Sequence, residues 1–104
     1  MSDQPVHVIA NVVVEDAARY HEYEKGFFPI LKRHGGKIIA LDDKSVTFEG
    51  EAPPEGRVVL LEFPGPDAAT AWYEDPEYQA LSEHRRASTR LQFLTMVRSS
   101  KPES

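Results

Sequence analysis

The segment from Glu62 to Gln79 constrains this chain more than any other. The run Arg57 to Phe63 is rich in Val and Leu and reads as a strand. Pro64-Gly65-Pro66 must end it, because proline cannot donate to a sheet ladder. Pro66 in turn suits the first turn of a helix, where its missing N–H goes unneeded. Asp75-Pro76-Glu77 then repeats the start signal, with an acidic cap, a proline at N1 and an acid in the first turn. A strand therefore feeds a helix that breaks and restarts. Trp72 lies in its first part, and Tyr78, Leu81, Arg85 and Ser88 share one face of its second.

The rest of the chain supplies matching elements. Val6 to Val14 is almost wholly apolar and β-branched, which predicts a strand covered on both sides. Val6, Val8, Ala10, Val12 and Val14 fall on one face, and His7, Ile9, Asn11 and Val13 on the other. Glu15-Asp16 opens a helix whose aromatic-rich stripe runs through Tyr20, Tyr23, Phe27, Ile30, Leu31 and His34. Pro29 inside that pattern predicts a bend near Gly26, and Gly35-Gly36 a stop with one glycine in the left-handed region. Lys37 to Leu41 and Ser45 to Glu49 predict a second strand region broken at Asp42-Asp43-Lys44. Gly50 to Gly56 reads as a loop, and Leu91 to Arg98 as the last strand.

The order β-α-β-β-α-β predicts an α+β, ferredoxin-like domain: a four-stranded antiparallel sheet with two helices on one face. One domain over 6–98 is expected, with flexible ends at 1–5 and 99–104. Strands apolar on both faces would leave one face of a lone sheet in water. Pairing of two copies through that face, as a closed barrel, resolves this, so a homodimer is expected.

Tyr20 and Tyr23, Gly35-Gly36, Glu49-Gly50, Arg57, Glu62-Phe63-Pro64, Ala69, Trp72-Tyr73, Pro76, Tyr78 and Arg85 together resemble a bacterial family of domains of unknown function. The resemblance spans roughly residues 6–98 and implies the dimeric α+β barrel superfamily. Gly65 departs from the family's Ser-like helix cap, and the acidic-glycine ending after the last strand is missing. The family brings no assigned reaction.

Three groups of residues carry candidate chemistry. His7 and Asn11 on the first strand, Glu62 on the third and Gln92 on the fourth are polar positions in apolar strands. If their faces coincide they converge, and Glu62 with His7 can then serve as acid and base. The alternative is a satisfied polar network. Arg85, on an apolar helix face, requires an anion, whether from Glu62, a partner chain or a ligand. With Glu62 and His7 it completes the candidate catalytic set. Trp72, Tyr78, Tyr20 and their aromatic neighbours read as core and as pocket lining, and with Asn11 and Gln92 they form the candidate ligand contacts.

A runner-up reading pairs Asn11 with Trp72, as in antibiotic-biosynthesis monooxygenases of the same barrel type. The haem-ligating histidine of their haem-degrading relatives would fall near Ser82, and His84 is two residues late. That argues against haem and leaves a cofactor-independent oxygenase.

Composition narrows the class. Seventeen acids against twelve basic residues give a net charge of −5, which disfavours nucleic acid and anionic membrane as partners. No cysteine is present, so thiolate chemistry is excluded. The histidines show no metal-ligand spacing, and no cofactor is expected. No apolar run approaches a membrane span and the start lacks a signal-peptide pattern, so a cytoplasmic setting is expected. The resulting expectation is a small homodimer that binds or transforms a small organic molecule between sheet and helices by acid–base chemistry. A cofactor-independent oxygenase and a non-catalytic ligand-binding or stress-associated module are the alternatives.

Overall fold

The structure is a computed structural model and describes residues 4–100, so the ends of the two predicted flexible tails lie outside the described residues. Strands β1 (Val6–Val14), β2 (Lys37–Asp42), β3 (Arg57–Phe63) and β4 (Thr89–Arg98) form one sheet in the order β2-β3-β1-β4. All three pairings are antiparallel. Helices α1 (Ala17–Arg33), α2 (Pro66–Glu74) and α3 (Pro76–Ser88) cover one face. This is the ferredoxin-like α+β fold, with its second helix divided into α2 and α3 at Asp75.

Local chemistry accounts for the helix ends. Asp16 caps α1 by accepting from the Arg19 N–H at 3.1 Å. Asp75 caps α3 by accepting from the Glu77 N–H at 2.8 Å. Gly65 caps α2 without a side-chain bond, and Pro66 follows it directly. Gly35 ends α1 at φ 79°, the left-handed conformation that disfavours other residues. Helix α1 continues through Pro29 rather than ending there. Gly26 has a packing reason: a Cβ there would lie 2.9 Å from Leu81 Cδ1 of α3.

The core forms where the helices meet the sheet. Val6, Val8, Leu61 and Phe63 supply the strand side, and Tyr20, Tyr23, Ile30, Leu31, Trp72 and Tyr78 the helix side. Trp72 is 2% exposed and its ring lies 4.4 Å from that of Tyr78 and 5.3 Å from that of Phe63.

One expectation is corrected here. Ser45 to Glu49 is not a strand, and β2 ends at Asp42. The alternation of Val46 and Phe48 with polar residues imitates one, but both side chains are exposed and the segment pairs with no strand. Glu49, outside the sheet, does not pair with Arg57. Arg57 instead forks onto Asp43, with Nε to Oδ1 at 2.7 Å and Nη2 to Oδ2 at 3.1 Å, and reaches Glu24 at 2.8 Å.

Candidate functional site

Register decides which side of the sheet each polar residue occupies. Paired residues share a face, so Glu62, His7 and Val97 form one row on the face away from the helices. Leu60, Ile9 and Thr95 form the next, and Val58, Asn11 and Phe93 the third. On the helix side the corresponding rows are Leu61, Val8 and Met96, then Val59, Ala10 and Leu94.

His7 and Glu62 do meet, with Nε2 and Oε2 3.5 Å apart. Both are partly exposed on the uncovered face. Asn11 is buried on that face, but its amide is consumed locally. It donates to the carbonyls of Glu55 at 2.7 Å and Arg57 at 3.0 Å, tying the start of β3 to β1.

Gln92 joins neither group. The β1–β4 register shifts between Asn11 and Val12, which pair with Phe93 and Leu91, so Gln92 is the extra residue of a bulge. It is exposed, and Leu91 takes the place beside Val12 that unbroken alternation would give to Gln92. Leu94 and Met96, the alternation partners of Gln92, face the helices rather than His7 and Glu62. The four polar strand residues therefore do not converge, and Asn11 shares no site with Trp72.

The other four candidates do share one. Tyr20, Trp72, Tyr78 and Arg85 line a cavity of about 240 Å³ between helices and sheet, together with Tyr23, Phe27, Leu91 and Leu94. A second, wider cavity of about 650 Å³ opens along β4 beneath α2 and α3. Trp72, Arg85, Leu91 and Leu94 border both, so they form the wall between the two. Helical spacing explains the first cavity: Tyr20, Tyr23 and Phe27 stand one turn apart on α1, and Tyr78 and Arg85 two turns apart on α3.

The polar lining of the first cavity comprises the paired Glu24 and Arg57, the tyrosine hydroxyls and Arg85. The hydroxyls of Tyr23 and Tyr78 are 2.7 Å apart. Burial, reinforced by Tyr78, pushes the Tyr23 phenol well above its ordinary pKa, and the nearby Arg85 pulls it back in part. Burial also raises the Tyr20 phenol, against the opposing charge of Arg57.

Arg85 is 5% exposed, and its guanidinium carbon lies 5.9 Å from the centroid of the Tyr23 ring. Among the described residues no carboxylate or other acceptor reaches that guanidinium, and its Nε is buried without a hydrogen bond. Glu62, one expected partner, is on the opposite side of the sheet with His7. A cation–π contact supplies about 0.5–2 kcal/mol, whereas burying an ion costs several kcal/mol. Trp72 Nε1 and Ser82 Oγ are likewise buried with no partner among the described residues.

The sequence did not single out Leu91 and Leu94, because only the bulge aligns both with this wall. His84 accepts from Arg19 at 2.9 Å through Nδ1 and lines neither cavity. Among the described residues no cluster of His, Asp or Glu is placed to hold a metal ion, and no helix is long and apolar enough to cross a membrane.

Comparison with solved structures shows the same architecture elsewhere. RPA0582 of Rhodopseudomonas palustris, a protein of unknown function, is 19% identical over 98% of this chain and 85% of its own, with a TM-score of 0.74. SnoaB of Streptomyces nogalater, a cofactor-independent oxygenase, is 11% identical over 95% of this chain and 96% of its own, with a TM-score of 0.67. A dimeric ferredoxin-like protein of unknown function from Bacteroides fragilis is 9% identical over 95% of this chain and all of its own (100%), with a TM-score of 0.62. At these identities the likeness is one of fold. No curated protein matches the chain by sequence. Residues 5–98 match the model of the family described as Domain of unknown function (DUF1330), and the chain belongs to that family.

Proposed function

We propose that this protein is a cytoplasmic homodimer that binds a small organic molecule in the aromatic-lined cavity between its helices and its sheet. One observation carries the reading: a largely apolar cavity bordered by buried Trp72 and Arg85, whose side-chain Nε1 and Nε have no hydrogen-bond partner among the described residues. Largely apolar enclosures with a few directed polar groups are the usual form of small-molecule sites. The cavity wall would supply shape and orientation. His7 and Glu62, on the far side of the sheet, are not placed to act as acid and base inside it.

The uncovered face supports the dimer. Ile9, Val58, Leu60, Phe93 and Val97 share it, and Phe93 and Val97 are 42% and 40% exposed. An apolar sheet face of this kind calls for a cover, and a second copy would also enclose His7 and Glu62. The dimeric ferredoxin-like neighbour is consistent with this. Light scattering should give twice the chain mass at micromolar concentration, and a stable monomer there would refute the barrel.

A fragment screen read by the emission of Trp72 tests the ligand site, since no other tryptophan contributes. Compounds that shift this emission should lose their effect in Leu94→Trp, read by thermal shift, because Leu94 borders both cavities. A screen without a single shift removes the reading.

The fold shared with SnoaB favours a second reading, oxygenation of the bound molecule without a cofactor. The expected Asn11–Trp72 pairing does not support it, since Asn11 bonds to backbone carbonyls near the start of β3. Oxygen uptake with a ligand from the screen distinguishes enzyme from binding module.

A further inference from the structure

We infer that the ligand of this cavity is a carboxylic acid with an apolar body, its carboxylate held by Arg85. The inference rests on the cavity being a ligand site and adds the ligand's chemical class.

Arg85 projects from α3 into the wall shared by the two cavities and is 5% exposed. A guanidinium is always protonated and donates only, so its burial requires acceptors. The described residues offer none: every ion pair and side-chain hydrogen bond of the nearby acids goes elsewhere. Glu24 is engaged by Arg57 and His21, Glu62 by His7, and Glu83 by Arg86. The Tyr23 ring beside Arg85 presents a π face rather than a counter-ion.

One further group points the same way. Trp72 Nε1, which can only donate, is buried without a partner in the same wall. Ser82, one turn before Arg85 on α3, also has a buried, unpartnered hydroxyl, but it lines neither cavity. A set of unsatisfied donors matches an acceptor-only group, and guanidinium and carboxylate pair in a two-pronged geometry. The chain's net charge of −5 gives no general attraction for anions. Arg57 also lines the cavity but is held by Asp43 and Glu24, which leaves Arg85 as the cation for a ligand. The surrounding Phe27, Tyr78, Leu91 and Leu94 suit an aromatic or branched apolar body, and about 240 Å³ accommodates one of a single ring.

The test compares matched acids and amides: benzoate with benzamide, 3-phenylpropionate with 3-phenylpropionamide, and octanoate with octanamide. Binding to the intact protein is read by Trp72 emission and by calorimetry. At least one acid should bind ten times more tightly than its amide. Arg85→Gln should abolish that preference, and Arg85→Lys should retain part of it. The acid–amide ratio on the unaltered protein needs no variant, so a failure of Arg85→Gln to fold leaves the test intact. Equal binding of acids and amides overturns the anion assignment while leaving the cavity as a ligand site. Binding of none of the six overturns the assignment, and with an unresponsive fragment screen it overturns the site as well. Acid preference undiminished in a folded Arg85→Gln protein overturns the role of Arg85.

Discussion

The hydroxyls of Tyr23 and Tyr78 lie 2.7 Å apart, joining α1 to α3 inside the core. Their rings meet edge to face, with centroids 6.2 Å apart. Removing one hydroxyl leaves the other buried without its partner, whereas removing both leaves an apolar contact. Tyr23→Phe and Tyr78→Phe should each destabilise by about 1–3 kcal/mol. The double variant should lose less than their sum, a coupling measurable by urea unfolding. Additive losses would mean that the two hydroxyls do not depend on each other.

The same burial predicts behaviour in alkali. The Tyr23 phenol is raised well above 10, chiefly by desolvation. A raised folded pKa means that the neutral phenol is favoured by the fold. Its contribution is complete below the unfolded value of about 10 and is lost as pH climbs toward the folded one. Tyrosinate absorbance should therefore include a component that appears only together with unfolding. A titration that finishes near pH 10 with the fold intact would contradict the burial of Tyr23.

Much of this arrangement was legible in the sequence. The aromatic stripe of α1, the restart at Asp75-Pro76 and the inward face of Arg85 all follow from helical spacing, which is a local property. Alternation leaves open whether Glu62 and His7 share a face, and the register of β1 and β3 sets them side by side. What alternation does not reveal is the bulge at Gln92, because one extra residue reverses the parity of the strand beyond it without any distinctive residue type. It also does not tell whether a strand-like run joins a sheet, and Val46 and Phe48 pair with no strand among the described residues. The separation of Glu62 from Arg85 is a property of register across strands, so it emerged only with the sheet.

Asn11 illustrates the difference between a polar residue in an apolar strand and a site. Its amide holds the carbonyls of Glu55 and Arg57, on either side of Gly56. Gly56 has φ 73°, and a Cβ there would lie 2.5 Å from the Val12 carbonyl oxygen, so backbone meets backbone at this corner. Asn11→Ala removes donors from two carbonyls and should cost about 1–3 kcal/mol. It should leave ligand-induced changes in Trp72 emission unaltered in the folded protein. A variant of unchanged stability that has lost ligand binding would return Asn11 to the site.

Asp75 joins two helices, α1 and α3, through one carboxylate. Oδ1 caps α3 at the Glu77 N–H, while Oδ2 receives Arg33 Nη2 at 2.7 Å and lies 2.8 Å from His34 Nε2 at the end of α1. The Arg33 bond, then that of His34, holds the Asp75 carboxyl far below the usual carboxylate range. A depressed folded pKa gives stability that is present above the unfolded value, about 3.9. That stability is lost as pH falls below it toward the folded value. Asparagine caps helices about as well as aspartate, so Asp75→Asn removes the charge and spares the cap. The variant should be less stable than the parent at pH 7, and the two should converge as pH approaches 2 in a series of urea unfolding curves. A deficit that persists undiminished at pH 2 would assign the role of Asp75 to the cap and not to its pair with Arg33.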